Sequence, residues 1–236
     1  MFKKKYLQKK FWRGIIFLMN KRFVVGIFSV FVFFLFLVHE YFLFAHHEWR
    51  VLEAVLKGVL SLFPFILCFL GWKENKSRLS FLFLSGFLLC LLGDALINLF
   101  MEFAAVCYFA AHCIFVRCYL YFRKPKVWQF VVWIVVFLLI CVFIQFVNVS
   151  LLLKVFGILY TFAMTAMVMF SVKIPKLLTI GSLIFFISDI LLLRNFIYSE
   201  TVVSHFFSLG LYYVAVMIIA SKVFVGFDKD NRLING

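Results

Sequence analysis

Charged residues are scarce in this sequence. Only 14% of its 236 residues are charged and 66% are hydrophobic, against roughly 25% and 45–50% in soluble domains, which excludes an ordinary water-soluble fold. Acidic residues are the scarcest, ten against 24 lysines and arginines. Three prolines and eleven glycines are too few for a Pro- or Gly-rich linker, and no repeat, soluble domain, phosphate-binding glycine loop or nucleotide motif is present. The six cysteines (Cys68, Cys90, Cys107, Cys113, Cys118 and Cys141) form no Cys-x-x-Cys pair and all sit inside apolar runs. That pattern sets aside a disulfide framework and a zinc site.

What the chain does have is a series of apolar runs, each about 20 residues long and without alternation. They fall at 23–43, 51–70, 79–99, 103–122, 127–147, 151–171, 177–197 and 202–225. A spanning backbone must satisfy its own hydrogen bonds, so only helices or a closed barrel cross a bilayer, and runs of this length select helices. The expected fold is all-α, a polytopic membrane bundle of about eight transmembrane helices. The first run follows a basic segment, as a signal peptide would. It is too long for such a peptide's apolar core and no small-residue cleavage site follows, so it reads as a retained helix. Pro64 lies within the second run and is expected to kink it, whereas Pro125 and Pro175 fall in linkers.

A net charge of +14 suggests nucleic acid until the positions are examined. Eight basic residues precede the first span, three lie in the 71–78 linker, three at 123–126, two at 173–176 and three at or beyond the end of the last span (Lys222, Lys229 and Arg232); the opposite ends of the spans hold only Arg50 and Arg194. This alternation is what the positive-inside rule predicts for eight spans with both termini cytoplasmic. The charge is topological, nucleic acid is not the expected partner, and the basic amino terminus can rest on anionic headgroups. The expected organisation is a basic cytoplasmic segment at 1–22, an eight-helix domain at 23–225 and a short cytoplasmic tail at 226–236. Short linkers and the lack of a soluble domain suit a bacterial inner membrane.

Function has to lie in the polar residues that hydrocarbon disfavours. An ionisable side chain at the bilayer centre costs at least about 2.5–3.5 kcal/mol, so each faces the bundle interior by default. Those singled out are Lys57, Asp94, His112, Arg117, Lys154, Asp189 and His205. Gly86, Cys90, Asp94 and Asn98 are four apart and share one helix face, as do Ser182 and Asp189, Glu53, Lys57 and Ser61, Tyr108 and His112, and His205, Ser208 and Tyr212. The two aspartates stand at similar depth, so these groups can meet in one polar pocket. The structural alternative is that Asp94 pairs with Lys57 or Lys154 only to hold helices together. Lys154 and His205, near the ends of their spans, snorkel on that reading, Arg117 anchors at the interface, and the 36 phenylalanines face lipid and neighbouring helices.

Two stretches resemble a known family. Gly-Phe-Leu-Leu-Cys-Leu-Leu-Gly-Asp-Ala-Leu-Ile at 86–97, followed by Tyr-Phe-Ala-Ala-His at 108–112, is similar to the Gly-Asp core of the YhhN family of lysoplasmalogenases. Gly-Ser-Leu-Ile-Phe-Phe-Ile-Ser-Asp at 181–189 resembles that family's second signature. Lys57, the Gly157–Tyr160 segment and Leu-Tyr-Tyr-Val-Ala at 211–215 are weaker matches, and the likeness covers most of 51–222. Three positions depart: Val216 stands where the family usually has Gln, Cys90 where Ser is common, and Pro64 is later than usual.

The resemblance implies an eight-helix enzyme that hydrolyses the vinyl ether of a lysoplasmalogen to a fatty aldehyde and a glycerophospho-alcohol, without a metal or other cofactor. It makes Asp94 and Asp189 the catalytic pair. Lys57 would bind phosphate or act on an aspartate, and Asn98, His112, Tyr160, Tyr212 and Tyr213 would contact the lysophospholipid. Intramembrane Asp, Lys and His also build transport pathways, so a small-solute or proton-coupled transporter is the rival class. It lacks the usual sign, a pair of Gly/Pro-broken helices in matching halves. A lipid-binding protein without activity is the third reading.

Overall fold

The computed structural model describes residues 21–45, 50–172, 174–198 and 201–227. The basic segment before Lys21 and the end of the tail lie outside the described residues. Among the described residues there are eight helices: α1 (Lys21–Ala45), α2 (Arg50–Asn75), α3 (Arg78–Leu96), α4 (Met101–Phe122), α5 (Val127–Ile144), α6 (Leu151–Ser171), α7 (Lys176–Tyr198) and α8 (Val202–Val225). Each is long and apolar enough to cross a membrane, and at 1.5 Å per residue each spans the hydrocarbon core. The chain is an integral, multi-pass membrane protein.

Most bounds fall within two or three residues of the apolar runs. The exceptions have local causes. α2 continues to Asn75, because Trp72, Lys73 and Glu74 are good helix formers that sit at an interface. α3 stops at Leu96, and Ile97–Leu99 form a turn closed by Phe100 N–H to Leu96 O at 2.7 Å. Pro64 is buried inside α2, which is not interrupted there. Helix starts are capped by hydroxyls: Ser77 accepts from Ser80 N–H at 3.1 Å, Ser150 from Leu153 N–H at 3.3 Å, and Thr201 from Ser204 N–H at 3.2 Å. Each cap satisfies a donor that the first helical turn leaves without a partner.

The helices are not equivalent. α2, α3, α4, α6, α7 and α8 contact one another in that cyclic order and close a ring, while α1 lies outside it against α2 and α8, and α5 lies outside it against α6. Burial follows this division, with α1 and α5 the least buried. Few side chains tie the outer helices down. Phe36 of α1 packs against Phe206 at 5.0 Å, and α5 donates Gln129 Nε2 to Met169 O at 2.6 Å and Trp133 Nε1 to Phe162 O at 3.1 Å. With short connections neighbouring helices run antiparallel, so the 97–100 and 145–150 connections mark one end of the ring and the 76–77 and 123–126 connections the other.

The second end is dry. Phe83, Phe115, Tyr119, Phe122 and Phe227 fill it, with ring centroids 5.1–6.2 Å apart, and Tyr119 Oη meets Ser182 Oγ at 2.8 Å. Here α2 and α8 come within backbone distance: a Cβ on Gly71 would lie 2.8 Å from Val223 O and 2.9 Å from Phe224 Cα. The polar residues gather toward the opposite end.

Candidate functional site

A cavity of about 270 Å³, walled by ring helices and by Ile140 and Ile144 of α5, opens toward the end bearing the 97–100 and 145–150 connections. Asp94 on α3 and Asp189 on α7 both line it, as the pocket reading of the sequence expects. Their surroundings differ. Asp94 is 3% exposed and accepts hydroxyls from three helices: Tyr108 of α4 donates to Oδ1 at 2.5 Å, Tyr212 of α8 to Oδ2 at 2.7 Å, and Ser61 of α2 also to Oδ2. Three donors suit a carboxylate, which only accepts. Asp189 takes a single hydroxyl, from Tyr160 of α6 at 2.7 Å. Tyr108 and Tyr160 meet edge to face at 6.4 Å, so the two carboxylates are joined through a pair of phenols.

This geometry has local sequence causes. Gly93 leaves room for Tyr108: a Cβ there would stand 2.9 Å from the ring, so the residue before Asp94 admits the tyrosine that serves it. Ser188, the neighbour of Asp189, donates to Ser208 O at 2.7 Å and fixes α7 against α8. Replacing Tyr212 by Phe removes one of the three donors and leaves packing unchanged. The expected result is a loss of about 1.5–3 kcal/mol in folding stability, typical of a hydrogen bond to a charged group, read by thermal unfolding in detergent.

The expected site residues divide into two groups. Lys57, Asp94, Tyr160, Asp189 and Tyr212 line the cavity. Asn98, His112 and Tyr213 stand behind it. Asn98 accepts from Lys57 Nζ at 3.1 Å, and Tyr213 Oη donates to Lys57 O at 3.5 Å. His112 is fully buried, its Nδ1 donating to Tyr108 O at 2.8 Å, with its ring 4.9 Å from those of both Tyr160 and Phe185. It braces Tyr160 from the rear. Val216 is buried in the core at 2% exposure and is not a cavity residue.

Lys57 pairs with Glu53 one turn away, at 2.8 Å, so the ion pair anticipated with Asp94 is made within α2 instead. Lys154 donates to Gln145 O at 3.2 Å and lines the cavity mouth. His205 also lines the cavity, where snorkelling was expected. Its Nε2 lies 3.6 Å from Glu40 Oε1, and its ring stacks at 6.5 Å on His39. His39 is fully buried and reaches Glu40 at 3.1 Å and Glu53 at 3.9 Å. Sequence reasoning missed His39 and Glu40, and placed Tyr108 on a face with His112 without giving it a role. The available signal was that His39-Glu40 lies inside an apolar run, at a depth matching Glu53 and His205. Lys57→Met is expected to cost about 2–4 kcal/mol, because it leaves Glu53 without its cation. Glu53→Gln combined with Lys57→Met should recover much of that loss in thermal unfolding.

Among the described residues no group of three or more His, Cys, Asp or Glu is arranged to hold a metal ion, and the six cysteines are unpaired. The two aspartates of this cavity are carried on the Gly-Asp and Ser-Asp segments at 93–94 and 188–189. The YhhN family model matches residues 52–223. The chain belongs to the YhhN family. That match takes in α2 to α8, the whole ring together with α5, whereas α1 lies before it. In this YhhN protein the His39-Glu40 pair therefore comes from outside the family-matched residues. No curated protein and no solved structure matches the chain.

Proposed function

We propose that this YhhN protein is a membrane-embedded hydrolase that cleaves the vinyl ether of lysoplasmalogens. The observation that carries the reading is a single cavity lined by two carboxylates of unlike surroundings, Asp94 with three hydroxyl donors and Asp189 with one. Vinyl-ether hydrolysis needs a proton donor and a carboxylate that stabilises a cation, and paired carboxylates in unlike environments divide such roles. Asp189, with one oxygen left to the cavity, protonates the outer alkenyl carbon. The resulting oxocarbenium ion is stabilised by the Asp94 carboxylate. Water adds to the carbon that bears oxygen and gives up a proton to a carboxylate. The hemiacetal then breaks its bond to the glycerol oxygen, which takes the hydroxyl proton. Water is consumed, and a fatty aldehyde and a glycerophospho-alcohol are released.

Lys57, Lys154 and His205 at the mouth suit the phosphate of the head group. Tyr160 and Tyr212 hold the aspartates and face the substrate, while Asn98, His112 and Tyr213 support them. If the basic ends of the helices are cytoplasmic, as their charge distribution predicts, the cavity opens toward the outer leaflet.

The test is aldehyde release from a synthetic lysoplasmalogen by purified, detergent-solubilised protein, with an ester lysophospholipid as control substrate. Release from the vinyl ether alone is expected. Folded protein that releases no aldehyde across several head groups overturns the proposal. A proton-coupled transporter is the second reading, favoured by the buried chain of Glu40, His39, Glu53 and Lys57 leading from α1 to the cavity. Proton flux in proteoliposomes, absent with Lys57→Met, would support it.

A further inference from the structure

A lysolipid is amphiphilic, and its chain needs an apolar path away from the aspartates. The axis of the ring offers none, because Phe83, Phe115 and Phe227 fill its far end. The side of the ring differs. On α7, Phe185 and Ser188 are 1% and 3% exposed, yet Leu192, which shares their face nearer the mouth, is 37% exposed, as is Ile190 on its flank. Both residues line the cavity, so one stretch of α7 is at once cavity wall and lipid-facing surface. On α6, Gly157 lines the same cavity, and a Cβ built there meets no atom within 4 Å. Of all neighbours in the ring, α6 and α7 touch least.

We propose that the seam between α6 and α7 is a lateral slot through which the alkenyl chain of the bound lysolipid runs out into the bilayer, with Gly157 as the residue that sets its width. This rests on the lysolipid reading of the cavity. With its head group at Lys57, Lys154 and His205 and its vinyl ether between the aspartates, the molecule has its chain pointing at the gap beside Gly157. A helix packed on all sides has no use for a cavity-facing glycine with open space around it. A Cβ there meets no atom, so a leucine projects its side chain into the slot and narrows the passage.

The experiment compares parent, Gly157→Leu and Gly26→Leu on lysoplasmalogens with hexenyl and hexadecenyl chains. Gly26 also has open space around its Cβ position but lies on α1, away from the cavity. Gly157→Leu is expected to lower kcat/KM for the long chain at least tenfold and for the short chain less than twofold, with Gly26→Leu equal to the parent. Equal effects on both chain lengths, or none on either, overturn the slot.

A second readout does not depend on turnover. A saturated-ether lysophospholipid with a diazirine on its chain, which the enzyme cannot hydrolyse, is photolysed in the bound state. Labels on α6 and α7 around Gly157, Ile190 and Leu192 support the slot, and labels at Phe83 or Phe115 overturn it. A parent that takes the label at the seam but releases no aldehyde sinks the hydrolase reading while upholding the slot.

Discussion

Asp94→Asn and Asp189→Asn are each expected to reduce aldehyde release from a lysoplasmalogen by about a thousandfold, within the range assigned to a positioned acid or base. The substitution is nearly isosteric, so the effect isolates chemistry from packing. Asparagine at 189 keeps an oxygen for the Tyr160 hydroxyl but has no proton acidic enough for carbon. Asparagine at 94 keeps one acceptor and turns an NH2 toward hydroxyls that now donate to Oδ1 or Oδ2, and it carries no negative charge to face an oxocarbenium ion. The two variants should also separate. Asp94→Asn disturbs three hydrogen bonds from three helices and is expected to lower the unfolding temperature more than Asp189→Asn, which disturbs one. Both kcat and thermal unfolding have to be measured. Full turnover in either variant would return that aspartate to a purely structural role.

The largest effect on stability is expected at Gly71. A Cβ at this position falls within 3 Å of backbone atoms of Val223 and Phe224, and backbone cannot rotate away as a side chain can. Gly71→Leu must therefore push α8 from α2, with an expected loss of about 3 kcal/mol or more, at the severe end for overpacking. Gly26→Ala, with nothing within 4 Å, should stay within about 0.5 kcal/mol of the parent. Thermal unfolding in detergent checks both. Because α8 also carries His205 and Tyr212, residual folded Gly71→Leu should lose activity as well; native-like stability would show that the ring tolerates a wider α2–α8 spacing.

The spans were legible because lipid imposes one requirement on every residue of a run, and such a requirement survives averaging over twenty positions. The aspartates were legible for the opposite reason, as single residues that violate the pattern. The ring was not. α1 and α5 are the two most apolar of the eight spans, a sign that they face lipid, but apolarity alone does not give the order in which the other six close the ring. Tyr108 was placed on a face with His112 but given no role, because its part appears only where Gly93 admits its ring beside Asp94. Lys57 was placed on the correct face with Glu53, yet a search for partners across helices overlooked the one four residues away. The family resemblance assigned His112 to the substrate, while its position behind Tyr160 depends on a backbone carbonyl that sequence does not orient.

Helix α1 leans on α8. Glu40 of α1 finds His205 only in α8, Asp94 receives Tyr212 from the same helix, and the ring itself shuts where Gly71 meets Val223. Translation delivers these partners in the least convenient order. A nascent chain places Glu40 and Asp94 in or beside the bilayer while the helix that completes their contacts has yet to be made, and each uncompensated charge at depth costs at least about 2.5–3.5 kcal/mol. The unfinished bundle must therefore be sheltered, by insertion machinery or by water held in the open ring, until residues 202–225 arrive. Birth of the last helix is then also the moment at which the carboxylate pocket first exists.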